Sequence, residues 1–213
     1  MSRSIPFRAA AILAILFVAF LSSVAAFDEP LAANVRGSGT LVAWIFGLDF
    51  HATIAGELRL SGELLVDDEA VPFSAEGTLR GFGVRSIVTL ISEGWVVYAA
   101  AGTAATGEPI EVRGLLHARR KSLIPLQAGD VFVGAQFAVV DLRGKERSFV
   151  GEFSGAVDGG LAPSDRPGTI QLNGIGTFRL TGEPGPFPGS IPLDHSDLPV
   201  EFLRYVAELK LGI

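Results

Sequence analysis

The sequence predicts an all-β protein: an antiparallel meander of about nine strands, forming a barrel or sandwich, with a short C-terminal helix. Three observations carry this. Apolar and polar residues alternate with period two over much of the chain, the spacing that gives a strand one buried face and one wet one. Gly accounts for 26 of 213 residues and is scattered inside the apolar stretches as well as in loops. No helical period separates the strands, which argues against an α/β arrangement.

The chain opens on a segment of another kind. Arg3 and Arg8 precede an unbroken apolar run from Ala9 to Leu21, and Ser22-Ser23-Val24-Ala25-Ala26 supplies small residues after it. This is the order of a secretory signal peptide, so residues 1–26 are assigned to export, with cleavage after Ala26 and a secreted or periplasmic destination. Left uncleaved, the segment would be an anchor and the chain's point of membrane contact. Cys is absent, which excludes a disulfide framework, a thiolate metal site and a cysteine nucleophile. Removing Arg3 and Arg8 with the leader takes the formal charge from −6 to −8. An acidic exterior of this kind repels phosphate backbones, so nucleic acid is not an expected partner.

Residues 27–195 are expected to form one β domain, with its first strand over 39–46. From Ile54 to Val66 the even positions are apolar or Gly and the odd ones mostly polar. After the acidic turn Asp67-Asp68-Glu69-Ala70 the parity inverts, as a hairpin demands, and Val71, Phe73, Ala75, Gly77 and Leu79 take the buried side. The expected register sets Val66 on Val71 and Leu64 on Phe73, with Glu57 facing Arg80 and Arg59 diagonal to Glu76. Residues 86–91, 95–103 and 110–118 read as further strands, with breaks at Glu93-Gly94 and Thr106-Gly107-Glu108-Pro109, and Arg119-Arg120-Lys121 as a solvated loop. Val131, Val133, Ala135, Phe137 and Val139 then form the inward face of a strand paired with 149–157 across a turn over 142–146. Ile170 to Leu180 continues the meander. In this register Phe137 covers Gly151 and Phe153 covers Gly174, a device that bends a strand without leaving a hole.

Four prolines between Gly182 and Pro192 prescribe an extended surface segment. In 196–213, Asp197 is placed to cap a helix that tolerates Pro199 in its first turn. Val200, Leu203, Val206 and Ala207, with Phe202 beside them, give that helix an apolar side to lay on the sheet.

Chemistry-bearing clusters are sparse. His51, His117 and His195 are far apart and lack metal-ligand spacing. Asp194-His195-Ser196-Asp197 holds the residue types of a hydrolytic triad, but contiguous residues do not reach triad geometry, and helix capping accounts for the run better. Asp67-Asp68-Glu69 lacks the spacing of a calcium loop. Glu57, Glu63, Glu76 and Glu152 lie on polar strand faces beside arginines, an arrangement that serves solubility and register. No phosphate-cradling glycine loop occurs. The expectation is therefore a non-enzymatic protein with no cofactor and no metal, serving as a structural or interaction module for a protein partner. An alternative is a carrier of an apolar small molecule or lipid, lined by Leu58, Leu60, Phe73, Phe137, Phe153 and Phe178. A third arrangement, an outer-membrane barrel, uses the same alternation turned inside out.

Overall fold

The computed structural model describes residues 31–66, 69–121, 130–162, 164–186, 200–209 and 211. Eight antiparallel strands follow one another around a closed barrel: β1 (Leu31–Phe46), β2 (Asp49–Val66), β3 (Glu69–Ser86), β4 (Ile91–Ala104), β5 (Pro109–Lys121), β6 (Asp130–Leu142), β7 (Lys145–Ala162) and β8 (Thr169–Pro184). The helix α1 (Val200–Glu208) follows. Closure is made by β8 against β1, in register from Leu31↔Gly182 to Trp44↔Thr169. That seam decides barrel over sandwich.

Strand parity divides the side chains into two cores. The inner one fills the barrel with Leu58, Leu60, Leu64, Val71, Phe73, Ile110, Val140, Phe149, Phe153 and Leu180 among others. The second lies on the outside of the wall, where Phe82, Trp95, Val97, Leu115 and Val139 are roofed by Phe202, Val206 and Leu211. The helix therefore covers the sheet, as its apolar spacing implies, but its face is rotated from the expected one. Phe202 and Val206 are buried, Leu203 and Tyr205 half-buried, and Val200 and Ala207 point to water. Asp197 and Pro199 lie outside the described residues, as do Asp67, Asp68 and His195.

Several registers differ from expectation. In the β2–β3 hairpin, Val71 sits opposite Leu64 and Val66 opposite Glu69, a slip of two residues that keeps every side chain on its expected face. Alternation specifies a face but cannot distinguish registers two apart; a shorter turn made the choice. Arg59 now faces Glu76 directly and pairs with it at 3.0 Å. The β6–β7 hairpin differs by one residue, which is more consequential. Arg143 and Gly144 both take positive φ, 61° and 71°, as a two-residue I′ turn requires, and they set Leu142 on Lys145. The inward residues of β6 are then Phe132, Gly134, Gln136, Ala138, Val140 and Leu142, while Phe137 and Val139 face outward into the helix-covered core. The sequence of β6 is apolar at both parities, its outward side covered at Phe137 and Val139 and exposed at Val131 and Val133, so alternation could not orient it.

The ninth expected strand, over 86–91, is instead the β3–β4 turn. Leu90 N–H donates to Ser86 O at 3.0 Å and Thr89 N–H to Ser86 Oγ at 3.3 Å. β4 passes through Glu93-Gly94 unbroken, and β5 continues through Arg119 to Lys121 rather than dissolving into a loop. Aromatic rings do lie over glycines, with other partners than expected. Added Cβ atoms would strike Phe153 at Gly134, Phe178 at Gly155 and Gly176, and Tyr98 at Gly114.

Candidate functional site

The two ends of the barrel are built differently. At the end where β1 begins and β8 finishes, the inward side chains Leu31, Leu64, Ile110, Leu142 and Phe149 are fully buried. This end is closed by its own side chains. Toward the other end, formed by the β1–β2, β3–β4, β5–β6 and β7–β8 connections, the inward residues Leu41, Ile54, Val96, Leu116, Phe132 and Leu172 are only half-buried. Gly83, Gly94, Gly159 and Gly174 stand among them and contribute no side chain. The barrel is thus packed through one half and opens as a largely apolar, glycine-lined bowl in the other, with half-buried Arg85 and Ser92 on the same face at its rim.

Two polar side chains mark the boundary between the halves. Tyr98 pairs in register with half-buried Leu79 on one side and Gly114 on the other, and its ring lies over Gly114, where a Cβ would come within 2.5 Å of its Oη. Gln136 pairs with half-buried Leu116 and with Gly151, and its amide reaches over Gly182, where a Cβ would lie 3.4 Å from Nε2. Glycine at 114 and 182 therefore leaves the space these two side chains occupy. Gln136 is 0 % exposed and Tyr98 3 %. The Tyr98 hydroxyl and both polar atoms of the Gln136 amide make no hydrogen bond among the described residues. A buried amide can make four hydrogen bonds and a phenol three, and each group left unmet costs about 1–3 kcal/mol.

Burial also acts on the Tyr98 proton. A phenolate would be poorly solvated there, so the hydroxyl is held well above its ordinary pKa of 10.0. With the folded value above the unfolded one, stability is fully present below about pH 10 and declines above it, where the unfolded chain ionises and the folded one does not. In a Tyr205→Phe variant, Tyr98 is the sole tyrosine. Its phenolate absorbance is expected to appear only as the circular dichroism of the barrel is lost; ionisation of the intact barrel near pH 10 would place Tyr98 in contact with water.

The residues expected to line a ligand are distributed across this plan. Leu60 and Phe73 belong to the packed half, while Leu58 and Phe153 are buried members of the same interior core. Phe178 is half-buried and meets Phe153 edge-on with centroids 5.9 Å apart. Phe137 is on the outside of the wall, the correction that follows from the β6 register. Gln136 and Tyr98 were missed for the same reason in one case and for lack of a strand partner in the other. A glutamine in the middle of an apolar strand was the available signal for the first.

On the outer wall, His117 stacks on Trp95 with centroids 5.2 Å apart and planes 8° apart, and its Nε2–H donates to Glu93 Oε1 at 2.7 Å. His51 stacks on Trp44 and tilts against Phe82. These imidazoles stand on β2 and β5, with two strands between them, and no group of three His, Asp or Glu among the described residues could hold a metal. They flank the core beneath α1. Glu57, Glu63, Glu76 and Glu152 all face outward and are exposed. The Arg59–Glu76 bridge is in open solvent, where such pairs contribute about 0–1 kcal/mol. Comparison with protein-family models, with curated proteins and with solved structures finds no match to this chain.

Proposed function

We propose that this chain is an exported, non-enzymatic carrier that takes a small, largely apolar and uncharged molecule into the open half of the barrel, with Gln136 and Tyr98 binding its one polar group. The observation that carries this reading is the pair of fully buried polar side chains at the floor of an apolar bowl. A core that served only as scaffold would be more stable with Leu and Phe at those positions, because neither hydroxyl nor amide finds a partner among the described residues. Gln136 can both donate and accept, and Tyr98 can do the same, so a ketone, ester, amide or hydroxyl would satisfy them. Neither supplies the charge that would compensate an ionised carboxylate taken out of water. Eight-stranded barrels are of the size that encloses one small ligand. Against the outer-membrane arrangement stands the outer wall, which carries Arg36, Arg59, Arg80 and Arg179 on the side that would face lipid, at about 2–4 kcal/mol for each Arg near the midplane.

Two measurements test the proposal. Native mass spectrometry of protein purified without detergent from its own host is expected to show a stoichiometric adduct extractable into organic solvent. Uptake of the neutral fluorophore N-phenyl-1-naphthylamine is expected to saturate at one per chain. Gln136→Leu should bind the extracted molecule about tenfold or more less tightly, the loss of one or two buried hydrogen bonds, while melting at or above the wild-type temperature. A clean apo mass together with no uptake of the fluorophore would mean a closed interior and return the chain to the scaffold or interaction module.

A further inference from the structure

We propose that the open end of the barrel is a docking surface for a lipid bilayer. Large apolar side chains ring this end: Ile45 and Leu48 at the β1–β2 connection, Ile87 and Val88 at β3–β4, Val131 entering β6 and Ile170 entering β8. Each of the four hairpins that meet the open end thus presents at least one in its strands or its turn, and Leu48 and Val88 are 67 % and 72 % exposed. Among the described residues no large exposed apolar side chain stands at the closed end, whose connections carry Thr106, Gly107, Glu108, Arg143 and Gly144.

The tips are built to hold this arrangement. In the β3–β4 turn the polar residues Ser86 and Thr89 turn back to bond backbone N–H groups, and the apolar Ile87 and Val88 are left facing water. This inverts the usual composition of a turn and is why the segment resembles a strand in sequence. Ile87 N–H donates to Leu48 O at 3.2 Å, pinning two neighbouring tips into one patch before anything binds. Leu90 holds a positive φ of 59°, a strained conformation for a leucine that the turn maintains.

Shape and charge select lipid over a second protein. Separate convex tips around an open mouth offer no continuous face for a rigid partner, whereas a fluid interface conforms to each tip. Arg85, Arg119 and Arg166 lie at the open end with Asp49, Glu93, Asp158 and Asp165, and the backbone positions of Arg120, Lys121 and Asp130 are there too, leaving it near neutral. At the closed end Glu63, Glu69, Glu108, Glu111, Asp141, Glu146 and Glu183 outnumber Arg113, Arg143, Lys145 and Arg147, even with Arg113–Glu146 and Arg143–Glu108 paired, so that end is the more acidic. An anionic headgroup layer repels the closed end and admits the open one. Contact of this kind is made by the folded barrel and does not depend on the apolar segment over 9–21.

The absence of Cys allows a local test in the full chain. Val88→Cys at the open end and Thr106→Cys at the closed end are each labelled with an environment-sensitive fluorophore and mixed with vesicles of phosphatidylcholine and phosphatidylglycerol in equal parts, some carrying spin-labelled acyl chains. The label at 88 is expected to shift to the blue and be quenched by the spin label, and the label at 106 to remain in water. Adding Leu48→Glu should weaken the response at 88 by about tenfold or more, from the transfer of one large side chain, whereas Ile175→Glu on the mid-wall should leave it unchanged. A water-exposed label at 88 on vesicles, or quenching at 106 instead, would overturn the proposal. So would a blue shift at 88 that grows with protein concentration in the absence of vesicles, which would assign the ring to a second copy of the chain. Gln136→Leu is expected to leave the signal at 88 intact, so docking and ligand uptake can fail separately.

Discussion

Val206→Asp is expected to lower the melting temperature by roughly 6–20 °C, the largest single-site effect on this fold. Val206 is 0 % exposed and sits among Phe82, Trp95, Val97, Leu115 and Val139 on the outer wall. A carboxylate there is either desolvated without a partner or pulls the helix off the sheet to reach water, and either route exposes that patch. Uncompensated buried charge costs about 3–5 kcal/mol, and each kcal/mol moves the transition of a domain this size by about 2–4 °C. Ala207→Asp, one residue on and exposed, is the matched control and should change stability by no more than about 0.5 kcal/mol. Equal melting of the two variants would show that α1 contributes nothing to the barrel. Removal of residues 196–213 should reproduce the loss.

Gly151→Val is expected to cost about 3 kcal/mol or more. A Cβ at this position runs into the Thr181 carbonyl and the Gly182 Cα of β8, atoms that belong to the backbone and cannot rotate away. Overpacking with flexible neighbours costs about 1–3 kcal/mol, and a backbone obstacle sets this case at the top of that range or beyond it. The same substitution at Gly160, where nothing lies within 4 Å, is the control and should be tolerated. Denaturant unfolding compares the two. Gly151 also lies beside Gln136 in the β6–β7 register, so a partly folded Gly151→Val protein should lose fluorophore uptake as well. Near-wild-type stability would mean that β7 and β8 separate more easily than their register implies.

Much of the architecture was legible in the residues, and the failures cluster where a strand has no dry–wet contrast. β2 and β3 separate their apolar and polar residues so sharply that face assignment survived a two-residue error in register. β6 has Val131, Val133, Phe137 and Val139 on one parity and Phe132, Val140 and Leu142 on the other, so its orientation depended on a two-residue turn and not on its pattern. The same error hid Gln136, which faces the interior only in the observed register. The tips were misread because Ser86-Ile87-Val88-Thr89-Leu90 has the composition of a strand and the hydrogen bonds of a turn.

What the sequence determined by itself is local: where chain is extended, which side of most strands is dry, and that a helix with one apolar side follows the strands. These depend on neighbours two to four residues away. Tertiary structure alone decided the rest. The pairing of β8 with β1 closed the sheet into a barrel across a separation of more than a hundred residues. Closure then gave one wall a second core beneath α1, packed one half of the interior, left the other half open above Gln136 and Tyr98, and gathered the apolar tips at a single end. Each of these is a relation between strands far apart in the chain, and periodicity, which compares a residue only with its near neighbours, carries no information about them.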